Sequence, residues 1–395
     1  MDAAATMQRN VVSRLWNDKE ARSLIIQIIT MVSILLVFGY MIRNAVVNLS
    51  ALGKDFSFAF LWQPASYDIN QAFIAYNSQS PHIRATVIGI MNTLAVAGAG
   101  VVLATILGFL LGVMRLSKNW LTAKISYVYI EYVRNVPVLV HILMVHGIIV
   151  RVLPNPRDAV NIGDGVFLSN RGASVPKPIF EPLFWVVLVV FVAGAGFAWW
   201  FRLYAKRLQD RTGRALPVFW ICLGAIVGAP LVVYFILGGP ITWQIPELQG
   251  FNFAGGYVLR PEFIALWLAL SLYTASFIGE IVRAGILAVD YGQTEASAAL
   301  GLSRGRTLNL VVIPQALRVI VPPLTSQYLN LTKNSSLAIA IGYMDIVATI
   351  GGISLNQTGR EMECMIIVLL LYLSISLSIS AFMNWYNKRI KLVER

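Results

Sequence analysis

The sequence predicts an all-α, polytopic membrane protein, and two of its features support that fold class. Of its 395 residues, 57% are hydrophobic and only 13% are charged, a balance that differs strongly from that of a water-soluble domain. The apolar residues also gather into about eight runs long enough to cross a bilayer as helices. These runs lie at Leu24–Ile42, Thr86–Met114, 121–150, Leu183–Tyr204, Leu216–Leu237, Phe263–Leu287, Leu317–Ile350 and Met362–Tyr386. Within the third run, residues 121–134 form either a short surface helix or the start of a tilted span.

The basic residues predict how these spans are oriented. Lysine and arginine collect at the ends of alternate apolar runs, and cytoplasmic segments carry such residues in excess. We therefore expect both termini and the link at 205–214 to be cytoplasmic, and residues 151–181 to be extracytoplasmic. The last of these segments fits less well, since it carries four cations of its own. The net charge of +12 then reflects membrane topology, and no nucleic-acid partner is expected.

The chain divides by composition into three parts. Residues 1–85 hold a cytoplasmic tail, the first span and an aromatic segment that we expect on the outer membrane surface. Residues 86–390 form the main transmembrane domain, and 391–395 are a cytoplasmic tail. Within the domain, residues 151–260 form a region with two spans of its own. In the second span, Gly108 and Gly112 form a small-xxx-small pair suited to close helix packing.

One stretch, Glu295–Pro314, is too polar for lipid although apolar runs flank it on both sides. Its alanine-rich beginning predicts a short helix from Glu295 to Leu300. Gly301 is a natural stop, because glycine accepts the left-handed conformation beyond a helix end. Ser303 can cap a second short helix towards Ile313, and Pro314 marks the next boundary. The alternative is an ordinary polar loop between two membrane helices.

This stretch resembles the Glu-Ala-Ala loop of ABC importer permeases. The matching positions are Glu295, Ala296, Ser297, Gly301, Ile313 and Pro314, with serine where alanine is commoner. The segments 132–140, 276–286 and 313–318 are similar to those of the polar amino-acid permeases. The resemblance covers roughly residues 86–390. The region 151–260 has no counterpart in the compact family core, which favours a subfamily similar to the general L-amino-acid permeases.

The resemblance implies a fold and a set of partners. The fold is that of a type I ABC importer permease in a bacterial inner membrane. The partners are the lipid bilayer, a second homologous permease subunit of a different chain, an ABC ATPase dimer and a periplasmic amino-acid-binding protein. The loop, through Glu295, Ala296, Ala299, Gly301, Ser303, Ile313 and Pro314, would couple this chain to the ATPase. ATP and Mg would bind to the ATPase, and no cofactor to this chain.

The chain itself carries no catalytic motif. It contains no phosphate-binding loop with the spacing Gly-x-x-x-x-Gly-Lys-Ser/Thr. His141 and His146 are five residues apart, which does not place them on one helix face as metal ligands. Cys222 and Cys364 lie in apolar runs and are interpreted as small hydrophobic residues. We expect no catalytic residue and no metal site.

Two pairs of opposite charges lie near span ends. Glu131 and Arg134 are three residues apart, as are Glu280 and Arg283. This spacing lets the partners meet on one helix face. Structural ion pairs at the cytoplasmic boundary are the favoured interpretation, and the second pair would help to position the coupling loop. A direct role for Glu131 and Arg134 in the translocation path is the alternative.

A polar cluster, Lys333-Asn334-Ser335-Ser336, lies deep in the seventh apolar run. Pro322 and Pro323, about three helical turns earlier, are expected to break that helix. Polar groups within a membrane must face a cavity or a neighbouring helix. Hydroxyl, amide and ammonium groups suit an amino-acid substrate, so the cluster is a candidate for the substrate path. A hydrogen-bonded patch between helices is the equal alternative.

A transporter of a different class also fits part of the sequence. An ion-coupled secondary transporter for amino acids would place carboxylates beside a broken helix at mid-membrane. The seventh run offers the expected break. Its candidate acids lie near span ends instead, with Glu280 towards the inner side and Asp345 towards the outer side. The motifs therefore favour the ATP-driven importer.

Overall fold

The computed structural model describes residues 18–51, 53 and 56–390. Seven of the described helices are long and apolar enough to span a membrane, and an eighth span results if one bent helix pair is counted. The predicted all-α, polytopic fold class is thereby confirmed. The chain beyond residue 390 and its first 17 residues, with Arg9 and Arg14, lie outside the described part.

The helices follow the apolar runs, with ends set by local chemistry. They are α1 (Lys19–Ala51), α2 (His82–Arg115), α3 (Trp120–Asn135), α4 (Val138–Val152), α5 (Phe184–Thr212), α6 (Val218–Ile236), α7 (Pro261–Leu287), α8 (Tyr291–Ala299), α9 (Arg304–Thr307), α10 (Ile313–Asn334), α11 (Leu355–Thr358) and α12 (Glu361–Ile390). Between α3 and α4, the chain bends by 106° at Val136 and Pro137. Proline disfavours helix at the residue before it, which accounts for the bend within the third predicted span.

The core of the bundle is α7. In the apolar window of α7, an 18-residue stretch of high mean hydropathy, 56% of the residues are buried, against 6% in the corresponding window of α12. Helix α7 packs against α2, α3, α4 and α10. Glycine allows the closest of these contacts, as the spacing of Gly108 and Gly112 predicts. A Cβ atom at Gly112 would lie 2.7 Å from the Gly279 carbonyl oxygen, so no larger residue fits there.

The segments at 151–181 and 239–261 are more ordered than expected. The sequence predicts loops there, whereas the structure contains strands β1 (Val160–Gly163), β2 (Val166–Ser169), β3 (Gly172–Val175), β4 (Lys177–Phe180), β5 (Ile241–Gln244), β6 (Glu247–Gln249), β7 (Asn252–Ala254) and β8 (Tyr257–Leu259). They form an antiparallel four-stranded sheet in the order β1-β2-β3-β8 and two two-stranded sheets, β4-β5 and β6-β7, of which only the second is a hairpin. Strands of three or four residues are too short to show a clear period of two.

The segment before α2 packs in part onto the rest of the protein. Phe60, in a 3-10 turn at Ala59–Trp62, is buried against Ile346 and Ile350. The Tyr67 hydroxyl lies 3.1 Å from Ser354 Oγ, and burial raises the pKa of this tyrosine. These contacts join the segment to Ile346 and to the π-helical turn at Val347–Ser354.

The seventh span differs from its prediction at both ends. Pro322 and Pro323 lie inside a continuous helix, α10, and do not break it. A π-helical turn at Leu308–Val312 precedes α10, and a 3-10 turn at Ser335–Ile341 follows it. Gly342, at φ +78°, then ends the helix. The predicted span to Ile350 is therefore too long, because the chain reverses at this glycine and packs back against α2.

Candidate coupling loop and substrate path

The coupling loop begins one turn earlier than its sequence predicts. The Asp290 carboxylate accepts a hydrogen bond of 2.7 Å from the Gly292 backbone N–H, so α8 starts at Tyr291. Carboxylates are strong N-caps because the first N–H groups of a helix lack partners. Glu295 is consequently in the middle of α8 and not at its start. Gly301 has φ +72°, which agrees with the stop predicted there.

The outer face of this loop is open. Glu295, Ala296, Ala299, Gly301 and Ser303 are all exposed, and their small side chains leave room for a close neighbour. Ser297 is buried instead, and its hydroxyl donates to the Gln293 carbonyl oxygen at 2.7 Å. The inward direction of this side chain explains why a small polar residue suits that position.

Two exposed apolar residues flank the same face and were not singled out from the sequence. Leu300 is 81% exposed and Tyr291 is 73% exposed, at opposite ends of α8. Because this loop is too polar to insert into lipid, such side chains are characteristic of a protein-protein contact. Leu300 could have been identified from the sequence, because it is a large apolar residue at the end of an alanine-rich segment in a polar stretch.

Pro314 does not form the boundary that the sequence predicts. The short helix α9 continues through the π-helical turn into α10, and Pro314 occupies the first turn of α10. Proline is tolerated there, because the wider π-helical turn leaves the i−4 hydrogen bond unmade at that point. Ile313 is exposed on the same turn. The coupling loop is thus continuous with a membrane span.

Of the two ion pairs predicted from the sequence, one forms and the other is replaced by contacts with different partners. Arg283 donates to Glu280 at 2.6 Å, as expected, and Arg115 of α2 binds the other Glu280 oxygen. The predicted contact between Glu131 and Arg134 is absent from the described ion pairs. Glu131 lies 3.9 Å from Arg115, whereas Arg134 stacks on the Phe277 ring at 5.2 Å. The reason is that α3 crosses α2 and α7, which offer these nearer partners.

The structure divides the predicted polar cluster between two environments. Ser335 is fully buried, and its hydroxyl donates to the Thr332 carbonyl oxygen at 2.7 Å. Ser336 makes the same type of bond to the Lys333 carbonyl oxygen. Lys333 is exposed and Asn334 is partly exposed. The ammonium and amide groups therefore face outward, whereas both hydroxyl groups are already bonded to the backbone.

Lys333 belongs to a longer polar stripe, which we define as Gln315, Ser326, Asn330 and Lys333. Ser326, Asn330 and Lys333 are exposed, and Gln315 is partly exposed. At about 100° per residue, these positions share one face of α10. Residues 315 to 333 cover about 27 Å of helix, close to the roughly 30 Å thickness of the hydrocarbon layer. Only the Lys333 end was identified from the sequence, although spacings of eleven, four and three residues place all four side chains on one helix face.

The two prolines lie on the same face. Pro322 and Pro323 are exposed and have no N–H, so the carbonyl oxygens of Arg318 and Val319 lose their usual donors. This part of α10 therefore presents backbone acceptors in addition to polar side chains. In lipid such a surface would be costly, since each unsatisfied backbone group costs several kcal/mol. The stripe is accordingly suited to face water or a partner subunit.

The acids considered for an ion site have structural partners. Asp345 is buried, accepts a hydrogen bond from Ala348 N–H at 2.8 Å and another from the Tyr372 hydroxyl at 3.0 Å. It thereby caps the π-helical turn at Val347–Ser354. In the described part of the chain, no three His, Cys, Asp or Glu side chains are arranged to hold a metal ion. His141 instead contacts the rings of Tyr132 and Tyr273.

The chain is similar to membrane components of bacterial transport systems. Residues 211–392 match a family described as binding-protein-dependent transport system inner membrane component. The general L-amino acid transport system permease protein AapQ of Rhizobium johnstonii is 46% identical over 96% of this chain and 94% of its own. The glutamate/glutamine/aspartate/asparagine transport system permease protein BztB of Rhodobacter capsulatus is 46% identical over 97% of both chains. The chain therefore belongs to the family of binding-protein-dependent inner membrane components, the permeases of ABC transport systems.

Proposed function

We propose that this chain is one of two permease subunits of an ATP-driven importer for amino acids in a bacterial inner membrane. The observation that carries the proposal is the polar stripe, which runs along α10 for about the thickness of the bilayer. It is joined without interruption to an exposed coupling loop. A polar surface of this length and connection suits a translocation path that is opened and closed from the cytoplasm.

Amino acids are the favoured substrate class for two reasons. Both similar proteins, AapQ and BztB, are named as permeases for amino acids. The stripe itself offers the matching chemistry, since the Lys333 ammonium can offset a carboxylate, and Asn330 and Ser326 can hydrogen-bond an ammonium or amide. The other side chains of the stripe are uncharged hydrogen-bonding groups. They suit the passage of a zwitterion better than its tight binding.

A second permease would complete the path. The stripe is exposed along one side of the chain, and within α1 none of the residues of the apolar window is buried. A homologous subunit of a different chain would cover the stripe from the other side. An extracytoplasmic binding protein would deliver the amino acid, and an ATPase dimer would bind ATP and Mg on the cytoplasmic side.

The mechanism that we propose is alternating access. ATP binding draws the ATPase subunits together, and α8 moves with the ATPase surface on which Leu300 and Tyr291 rest. Because α9, the π-helical turn and α10 are continuous, this displacement rotates the stripe. The outer side then opens towards the binding protein. ATP shifts this equilibrium only by binding one state more tightly than the other.

The test is uptake of labelled amino acids by the complete transporter in vesicles, with ATP inside and no ion gradient. We expect ATP-dependent uptake that Asn330→Leu lowers at least tenfold, because leucine interrupts the stripe. Leu329→Met, at the neighbouring position and the same depth, is the matched control and should transport normally. Uptake that requires an ion gradient and ignores ATP would overturn the proposal in favour of a secondary transporter.

A further inference from the structure

The inserted helices α5 and α6 form a hairpin that packs chiefly on itself. Only 17% of the apolar window of α5 and 11% of that of α6 are buried. The two helices are held close together, because a Cβ atom at Gly194 would collide with the Ala225 carbonyl oxygen. Cys222 Sγ lies 3.6 Å from the Ala198 carbonyl oxygen, one turn further along. The remaining faces of this hairpin are exposed in the described part of the chain.

The two helices differ in length, and α5 extends beyond its neighbour. With 29 residues α5 is about 43 Å long, whereas the 19 residues of α6 cover about 28 Å. Only α6 therefore matches the roughly 30 Å hydrocarbon layer. Since Ala198 is level with Cys222, the start of α6 at Val218 is level with about Arg202. The last two turns of α5 consequently lie in the headgroup layer and beyond it.

Large aromatic side chains mark the depth of this boundary. Trp199 and Trp200 of α5 are 70% and 54% exposed, and Phe219 and Trp220 of α6 are 65% and 69% exposed. Tryptophan is enriched at the interface between hydrocarbon and headgroups. These four residues, which we call the aromatic girdle, place everything after Arg202 at headgroup depth.

Cations follow directly after the girdle. The basic collar consists of Arg202, Lys206, Arg207, Arg211 and Arg214, all of them exposed. The four on α5 are spread around the helix and leave the side of Ala205 to α6. Asp210 is the single acid between them, and none of the collar side chains forms an ion pair with another described residue. The charge of the collar is therefore not compensated by the described part of this chain.

The side of the membrane follows from the strands. Because β4 pairs with β5, the hairpin begins and ends beside the sheets, and α7 starts at the same side after β8 pairs with β3. Both α5 and α7 then cross to the opposite side. The collar is thus on the same side as the coupling loop, which is cytoplasmic under the proposed function.

We propose that the basic collar binds the phosphate groups of anionic phospholipids in the inner leaflet, with the aromatic girdle fixing its depth. This proposal rests on the proposed function for the orientation of the chain. Cations spread around a helix suit a shell of headgroups, whereas a protein partner would meet one face. Each Lys or Arg at a membrane surface contributes about 1 kcal/mol, or about fivefold in lipid binding.

The experiment measures which lipid surrounds the collar in the complete transporter. Cys222 and Cys364 are replaced by alanine, and an environment-sensitive dye is attached to Gln209→Cys, an exposed position within the collar. The transporter is placed in vesicles of equal parts phosphatidylcholine and phosphatidylglycerol, with either lipid brominated as a quencher. We expect brominated phosphatidylglycerol to quench several-fold more strongly, and raised salt to weaken this preference.

A matched pair of variants locates the effect. Lys206→Gln/Arg207→Gln should remove most of this several-fold preference. Lys388→Gln/Arg389→Gln removes the same two residue types from the end of α12, at the same side of the membrane, and should leave the preference unchanged. Equal quenching by the two lipids in the parent chain would overturn the proposal, as would an equal loss in both variants. The quenching measured in the parent chain tests the proposal even where a variant fails to assemble.

A membrane-impermeant thiol reagent separates this proposal from the proposed function. If Gln209→Cys reacts from outside intact spheroplasts, the orientation is wrong and both proposals fail. If it reacts only from inside and quenching shows no lipid preference, only the collar proposal fails. Crosslinking of Gln209→Cys to the ATPase together with absent lipid preference would assign the collar to a protein contact and overturn lipid binding.

Discussion

Gln315 donates a hydrogen bond of 3.1 Å from Nε2 to Gln293 Oε1, and this contact joins the first turn of α10 to the coupling helix α8. The two residues are 22 positions apart, and the loop between α8 and α10 separates them along the chain. Gln315 is also the first residue of the polar stripe. A displacement of α8 therefore acts on the stripe by two routes, the backbone and this side-chain bridge.

The bridge predicts a partial loss of coupling when it is removed. Gln315→Ala and Gln293→Ala should each lower the ratio of amino acid transported to ATP hydrolysed by a few-fold, since one such hydrogen bond is worth about 1 kcal/mol. The double variant should lose little more than either single variant. Gln357→Ala, an exposed glutamine that follows the π-helical turn at Val347–Ser354, is the control. Additive losses would show that the two glutamines act separately.

The conformation of Gly301 predicts which substitutions it tolerates. Its φ is +72°, and a Cβ atom there would meet nothing within 4 Å, so the only cost is backbone strain of about 1–2 kcal/mol. Gly301→Val should weaken ATPase binding, whereas Gly301→Asn should be mild because asparagine accepts this conformation. Ala299→Trp should block docking by bulk at an exposed site. Copurification of the ATPase with each purified permease measures this.

The outcome that would contradict the coupling role is specific. If Ala299→Trp binds the ATPase fully and retains substrate-stimulated hydrolysis, α8 is not the docking element. Equal effects of Gly301→Val and Gly301→Asn would indicate that the side chain, and not the backbone conformation, matters at this joint.

We expect replacement of Glu280 to destabilise the fold, and replacement of Glu131 to have little effect. Glu280 bonds both Arg115 and Arg283, and its side chain is 25% exposed. Glu280→Gln should therefore lower the midpoint of thermal unfolding in detergent by several degrees, because two arginines lose their partner. Glu131→Gln is the control, since this side chain is 42% exposed and 3.9 Å from Arg115. A similar shift for both would mean that proximity to Arg115 alone sets the effect.

The sequence was informative wherever one local rule determined the outcome. Apolar runs located the spans, and Gly301 was the expected stop because only its own dihedral angle was in question. Pro314 and the pair at Pro322 and Pro323 were predicted as breaks, and there the local rule was wrong. The π-helical turn before Pro314 and the exposed helix face around Pro322 and Pro323 allow the helix to tolerate prolines, which lack an N–H group. Neither feature can be inferred from proline itself.

For the site, contacts between distant segments limited the sequence prediction. Arg115 could not be matched to Glu280, because 165 residues separate them and only the crossing of α2 over α7 brings them together. Ser326 and Asn330 were missed for another reason. Isolated polar residues among apolar neighbours lack a local cluster, and their common face with Lys333 becomes significant only once α10 is known to be continuous.

Within the predicted polar cluster, burial separates residues that act in transport from residues that support the fold. Ser335 is fully buried, so Ser335→Leu overfills a packed site and should reduce the yield of assembled transporter at a cost of about 1–3 kcal/mol. Lys333 and Asn334 face outward. Lys333→Gln and Asn334→Leu should assemble normally and transport less.

Lys333 also predicts a change in substrate discrimination. If its ammonium offsets a substrate carboxylate, the parent transporter should prefer an amino acid over the corresponding amino-acid amide, which lacks that negative charge. In Lys333→Gln this preference should fall several-fold, and Lys333→Arg should restore most of it. The measurement uses vesicles that contain ATP and no binding protein, so that the binding protein's own selection does not contribute. Labelled amino acid is loaded inside together with each competing compound, and the exit of the label through the open complex is followed. A Lys333→Gln transporter that keeps both its rate and its discrimination would assign the lysine to the contact with the second permease, and the polar stripe would then lose its proposed role in recognising the substrate.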